Sequence, residues 1–463
     1  MKDNQNVQAT GYKPLSNALK YCYGVGDAFF NMMTSIESFY FNTFLTDLSG
    51  LPLGMATLVA SVISTVDALI SWVYGGILNA LKPMKWGRYR SWYIAVPWIV
   101  PFLYACQFLK LDINPGLNAV IICAGGILSH FIWNFAYVAN VTMIAVAGKT
   151  PEDRATLSSS RATWNNIGAM AFSYTGLPLA TVLAGVVGEN NKFAAIAFII
   201  AACMAVTYFA HFKMFEGYEA TGAEAASEKK GGSVSIGLML KSLFANPQLL
   251  VLIIADIAKW CVKFVTAASA IYYFRDAAGN AGLMTIYTLL ISLASTIGGF
   301  AMRYIAKAMS NRTASLIAYA GMAIFCIAIY FAYANATLVI ILMVIAQFFY
   351  GVSYACNSSL FADVCVYTHW KTGENPSGWI SGLQNLPLKV AVFLRAPIIN
   401  AVLAAIGWQS GVLLEGTARQ GMAIPFGLVP GIFCVVGLLL ILFGYKLTDA
   451  KIKECQKELD ARA

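Results

Sequence analysis

The chain has 463 residues, of which 59% are hydrophobic and only 11% charged, with a formal net charge of +9 at pH 7. A charged share less than half of the roughly 25% usual in soluble domains cannot cover a water-exposed fold of this length, which excludes an ordinary soluble enzyme. The positive balance does not point to nucleic acid either, because the basic residues lie in short segments and tails between apolar blocks, with no aromatic-basic surface module.

The apolar residues come in long blocks such as Ala195 to Ala210 and Ile424 to Tyr445, and a helix needs about 20 such residues to cross the hydrocarbon core. A chain that spans the membrane many times is the expectation. Met1 to Leu15 is polar and lacks a cleavage pattern, so the first apolar block is expected to stay as a helix. The ten cysteines are scattered singly, without metal-ligand or redox spacing. They read as small core hydrophobes.

In chain order, periodicity and turn signals predict helices near 18–45, 51–80, 91–109, 116–146, 156–187 and 192–212. A second set falls near 246–274, 282–307, 313–332, 336–366, 379–406 and 423–446. Between the sets, Glu216 to Gly232 mixes Glu219, Glu224, Glu228, Lys229 and Lys230 with small residues, which is linker composition. The predicted organisation is therefore all-α, with twelve transmembrane helices in two six-helix bundles over 1–215 and 236–447, a linker over 216–235 and a tail over 448–463.

Cytoplasmic loops are enriched in Lys and Arg. With both ends inside, the inner segments hold thirteen basic residues from Lys82 to Lys371 plus both tails, and the outer loops hold only Lys110, Lys192, Arg275 and Arg419. Both termini are expected in the cytoplasm.

A charge at the centre of a membrane helix costs about 2.5–3.5 kcal/mol on insertion scales, so each one needs a reason. The candidates are Asp27, Glu37, Asp67 and Arg161, then Asp256, Lys259, Lys263, Asp363, Lys389 and Arg395. Asp27, Asn31, Ser35, Ser38 and Asn42 recur every three or four residues and so share a face that lines either a cavity or another helix. Asp256 with Lys259 forms a self-neutralising i, i+3 pair, which leaves Lys263 without a local partner and available to substrate or to a distant carboxylate. Trp164 lies one turn from Arg161 with Asn165 beside it, which groups a cation, a stacking surface and an amide.

Several short stretches occur in one order across nearly the whole chain: Tyr23-Gly-Val-Gly-Asp27, Thr46-Asp47-Leu-Ser-Gly50, Asp67-Ala68, Trp86-Gly-Arg-Tyr-Arg90, Arg154-Ala-Thr-Leu157 followed by Arg161, Ala362-Asp363 through Tyr367, Trp370-Lys-Thr-Gly373, and Lys389. Together they resemble the glycoside-pentoside-hexuronide:cation symporters, the branch of the major facilitators that includes the melibiose permease. The resemblance implies two bundles around a mid-membrane site. It further implies a cation site at Asp67, Ser71 and Asn140, where one of the family's paired helix-two carboxylates has become Ser71. Sugar-binding positions fall by the same resemblance on Asn31, Arg161, Gln384 and Lys389, with the family's helix-one acid replaced by Asn31.

The expected function is import of a sugar or sugar derivative across the inner membrane by alternating access. Substrate contacts are expected from Asn31, Asn140, Arg161, Trp164, Lys263, Gln384 and Lys389, and coupling from Asp67, Ser71 and Asn140. Losing acids at Asn31 and Asn140 while keeping Arg161, Lys263 and Lys389 favours an anionic solute such as a hexuronide or a sulfonated sugar. The expected coupling ion is a proton carried by Asp67, with sodium less suited to a site holding one carboxylate; Asp67 paired with Arg161 or Lys389 and carrying nothing is the alternative. No cofactor, metal or nucleic acid is expected, lipid is the surrounding partner, and the monomer is expected to suffice. An uncoupled facilitator, a carrier of an amphiphile and a non-transporting sensor remain the competing readings.

Overall fold

The computed structural model describes residues 13–70, 84–148, 151–219, 246–372 and 386–462, with positions 74, 77–78, 82, 380 and 383–384. Among them every regular element is helical, apart from one isolated bridge between Met84 and Gly87. The long helices in chain order are α1 (Val25–Thr43), α2 (Leu53–Ile70), α3 (Val100–Cys106), α4 (Pro115–Ala147), α5 (Pro151–Val187), α6 (Lys192–Met214), α7 (Pro247–Tyr272), α8 (Leu283–Ala308), α9 (Asn311–Ala332), α10 (Ala336–Thr372), α11 (Leu386–Ala405), α12 (Val429–Leu439) and α13 (Asp449–Arg462). Nine stretches among the described residues are long and apolar enough to cross a membrane. α7 falls short of that standard through its charge, since Asp256, Lys259 and Lys263 lie within one span.

Most predicted helices match the observed ones to within a few residues, and the departures have local causes. The stretch predicted at 91–109 breaks into a single turn, Trp92–Ala95, and α3, because Pro97 lacks the N–H that would continue the helical ladder. α1, α7 and α12 each run into a π-helical turn, at Phe44–Leu48, Tyr273–Ala277 and Leu440–Gly444, and in all three a backbone N–H reaches back five residues. Most of the predicted linker, 220–235, lies outside the described residues.

The chain divides into two compact units, one of Met1–Glu37 with Leu69–Gly232 and the other of Ser38–Ala68 with Ser233–Ala463. In the first, α1 and α5 meet at backbone distance. A Cβ on Gly24 would collide with Ser160 and Arg161, and one on Gly168 with the backbone of Ala28. Small residues are what allow such an approach where lipid supplies no hydrophobic drive between helices. The contacts advance together along both helices, so α1 and α5 run parallel and bring Asp27 level with Arg161.

The Trp86-Gly-Arg-Tyr-Arg90 loop is folded around one carboxylate. Glu219 accepts from the backbone N–H groups of Tyr89 and Arg90, both at 2.8 Å, and fills the space a side chain on residue 87 would need. Gly87 has φ of 114°, which only glycine adopts freely. Arg90 then donates to the Phe212 carbonyl at 2.7 Å and lies 4.2 Å over the Phe212 ring, which ties the loop to α6.

In the second unit α7 is buried nearly all round, packed on α10, α11 and α12. Its N-cap Asn246 accepts from the N–H groups of Gln248 and Leu249 and donates to Thr368 of α10 at 2.6 Å. The C-terminal α13 is held to α10 by Trp370, whose indole donates to Glu458 at 2.7 Å.

Gly87→Ala combines a strained φ with a clash against Glu219, and should lower stability by about 1–3 kcal/mol. Gly54→Ala, at a helical site where a Cβ meets nothing within 4 Å, should be neutral or stabilising. Thermal unfolding of the two detergent-purified variants checks this, and equal midpoints would contradict it.

Candidate functional site

In the first unit the polar residues converge on Asp27, which is 1% exposed. Arg161 grips it with Nε at 2.9 Å and Nη2 at 2.6 Å, a bidentate pair of the strong, oriented kind. Asn140 of α4 donates to the same carboxylate at 3.2 Å, and its own side-chain oxygen accepts from Tyr93 at 2.9 Å. Tyr23 donates to the Asn140 backbone carbonyl. Asn140 is wholly buried, so it serves to hold Asp27.

One turn along both helices, Asn31 donates to Asn165 at 2.8 Å and accepts from Ser35 at 3.3 Å. Trp164 donates to the Tyr21 carbonyl at 2.6 Å and keeps part of its ring open. Arg161 retains 19% side-chain exposure and also lies 5.6 Å over the Tyr137 ring. Arg161, Trp164, Asn165 and Asn31 thus form one partly open polar face.

Further along α1, Glu37 pairs with His130 at 3.1 Å, both almost fully buried.

In the second unit Lys389 is ion-paired with Asp67, with side-chain exposures of 18% and 10%. Asp67 is therefore not a lone carboxylate. Ser71 lies outside the described residues. Gln384 is half-buried just ahead of α11. The amide oxygen of Asn140 is engaged by Tyr93 in the first unit, whereas Asp67 belongs to the second.

A second polar line in this unit runs from α1 to α7 and α11. Asn42 donates to Tyr272 at 3.0 Å and to Asn400 at 2.9 Å, and Asn400 donates to Thr57 of α2 at 2.8 Å. Beyond it Arg275 holds Asp276 through two nitrogens, at 2.5 and 2.8 Å, and also pairs with Asp47. The indole of Trp408 donates to Asp276 at 2.8 Å. The α1 stripe is thus mostly hydrogen-bonded to neighbouring helices, which is the helix-joining alternative to a cavity wall.

On α7, Asp256 and Lys259 form the expected pair, both at most 1% exposed, and Asp256 also accepts from Trp260 at 3.2 Å and from Asn357 at 3.3 Å.

Sequence reasoning singled out Arg161, Lys389, Asp67 and Asp27 but did not pair Asp27 with Arg161. The available signal was its place one turn before Asn31, facing the same helix as Arg161. Asp47 with Arg275 was missed because Arg275 read as a loop charge. Asp27 and Arg161 are a nearly closed pair, so removing one partner leaves an uncompensated buried charge, a loss of about 3–5 kcal/mol. Arg161→Gln should therefore lower the unfolding midpoint more than Asp27→Asn with Arg161→Gln combined. Additive losses in a double-mutant cycle would show the two residues to be independent.

"Uncharacterized symporter YjmB" of Bacillus subtilis is 22% identical over 467 residues, covering 99% of each chain. "Glucuronide carrier protein homolog" of Escherichia coli is 21% identical over 453 residues, covering 95% of this chain and 94% of that one. In fold, the chain resembles the crystal structure of D-xylose-proton symporter with a TM-score of 0.63 at 12% identity, over 92% of this chain and 96% of that one. The profile of the MFS/sugar transport protein family matches residues 22–449. The chain belongs to that family of membrane transporters.

Proposed function

We propose that this protein imports a sugar or sugar derivative across the inner membrane by alternating access, with twelve spans, cytoplasmic termini and a proton rather than sodium as coupling ion. The observation that carries the coupling is the Asp67–Lys389 pair. Both side chains are partly open, so water and a polar solute can reach them.

The chemistry of the pair supports an exchange. While Asp67 is ionised it holds the Lys389 ammonium, and when a proton neutralises Asp67 the Coulomb attraction is lost and the three ammonium donors become free for sugar hydroxyls. Proton and sugar then promote each other's binding, as any coupled pair of equilibria must. Sodium suits this position poorly. It needs several oxygens with enough negative charge to replace its hydration, and here the Lys389 ammonium already occupies the one carboxylate.

Arg161, with Asn31, Asn165 and Trp164 on its open face, supplies the second polar wall: amides and a guanidinium for hydroxyls, an indole for a ring face. The symporters and carriers among the relatives support this reading. No separate observation favours a sensor.

Two experiments test it. Arg161→Ala and Lys389→Ala should each abolish uptake while leaving membrane insertion intact, and near-normal uptake by both would sink the site. In proteoliposomes with imposed gradients, the parent should respond to an inward proton gradient, and Asp67→Asn should lose that component alone. Strong stimulation by sodium would refute proton coupling.

A further inference from the structure

The outward faces of α3 and α6 carry a ladder of rings that the transport scheme leaves unused. On α6, Ile200, Met204 and Tyr208 are buried, whereas every exposed residue from Phe198 to Ala210 is apolar. An apolar exposed face on a helix long enough to cross a membrane meets lipid and not water.

The rings lie in contact along this face. Phe102 of α3 meets Phe198 edge-on at 5.3 Å, and Trp98, just ahead of α3, lies 6.2 Å from Phe209. Phe209 stacks 6.3 Å from Phe212, and Trp86 meets Phe212 edge-on at 5.5 Å. From Phe198 to Lys213 the helix rises about 22 Å at 1.5 Å per residue. One leaflet, half of a bilayer about 40–45 Å thick with its headgroups, has the same depth. The ladder therefore matches one lipid molecule in length.

Two ammonium groups stand at its end. Lys85 lies 5.5 Å from the Trp86 ring and Lys213 lies 5.9 Å from the Phe212 ring, so the two lysines flank one aromatic pair. Both are exposed, and among the described residues neither pairs with a carboxylate. The acids nearby are engaged: Glu216 pairs with Arg90 at 3.7 Å, and Glu219 accepts from the backbone N–H groups of Tyr89 and Arg90.

Two cations without a counter-ion at the end of an apolar track call for an anion that carries a chain. A free phosphate would leave the rings unused, and a zwitterionic headgroup would bring a third cation to the lysines. We propose that the α3–α6 face binds one anionic phospholipid of the phosphatidylglycerol class, its phosphate on Lys85 and Lys213 and an acyl chain along Phe209, Trp98 and Phe198.

Native mass spectrometry of the full-length protein in detergent tests this by the affinity of the first molecule bound. The probes are phosphatidylglycerol, phosphatidylcholine and glycerol 3-phosphate. Phosphatidylglycerol should bind most tightly, phosphatidylcholine more weakly, and glycerol 3-phosphate, which has no chain, not detectably. Each lysine near an anionic headgroup contributes about fivefold in affinity. Lys85→Gln with Lys213→Gln should therefore weaken phosphatidylglycerol by roughly 25-fold and leave phosphatidylcholine unchanged. Lys85→Arg with Lys213→Arg should keep the parent's preference, and Phe209→Ala should weaken both lipids alike.

Lys371→Gln with Lys446→Gln removes the same charge from exposed positions on other helices and should leave phosphatidylglycerol binding as in the parent. Equal losses in the two glutamine pairs would show a general attraction of the basic surface and overturn the proposal. Equal affinity of the parent for the two lipids would overturn it as well. Glycerol 3-phosphate binding as tightly as phosphatidylglycerol would assign the lysines to a soluble phosphate ester instead.

Discussion

A charge inside hydrocarbon has to be neutralised or opened to water, and that constraint organises this protein. Among the described residues, Asp27 with Arg161, Asp256 with Lys259, Asp67 with Lys389 and Asp47 with Arg275 are pairs that meet it. Most join different helices, so each fixes a neighbour as well as a charge. The exception, Asp256 with Lys259, is closed within a single helix, and it is also the driest. Paired charges in a dry setting add little net stability compared with apolar residues, yet losing one partner is costly.

Packing decides which pairs form. α1 and α5 approach closely only because Gly24 and Gly168 carry no side chain. That approach, in parallel register, sets Arg161 against Asp27 and Asn165 against Asn31. α7 is buried on nearly every side, so its three charges could not be placed toward lipid. Asp256 and Lys259 close on each other.

The pairs differ in accessibility, and that difference separates support from function. Asp256 with Lys259 is sealed, while Asp27 is closed on one side and reachable through Arg161 on the other. Asp67 with Lys389 is partly open on both partners. Only a pair that water and solute can reach is able to change protonation or partner during a transport cycle. A carrier needs both kinds: rigid contacts that keep each unit intact, and exchangeable ones.

The sequence by itself determined the class of the protein. Apolar block length and scarce charge dictate membrane helices, because no other regular element satisfies its own backbone in lipid without closing a barrel. The helix limits followed from the same pattern, except where Pro97 broke a run whose hydrophobicity alone read as continuous. The self-neutralising Asp256 and Lys259, and Lys263 left over beside them, were legible because i, i+3 spacing fixes side-chain neighbours on a helix. What only the tertiary structure decided was every partnership across helices. Lys389 could have met Asp67 or a sugar, and Asp27 could have been packing or a counter-ion. Residues such as Asp67 and Lys389 lie 322 positions apart, and local periodicity carries no information about which distant helix will lie alongside. That choice rests on the backbone approach allowed by a few small residues and on the cost of leaving a charge alone.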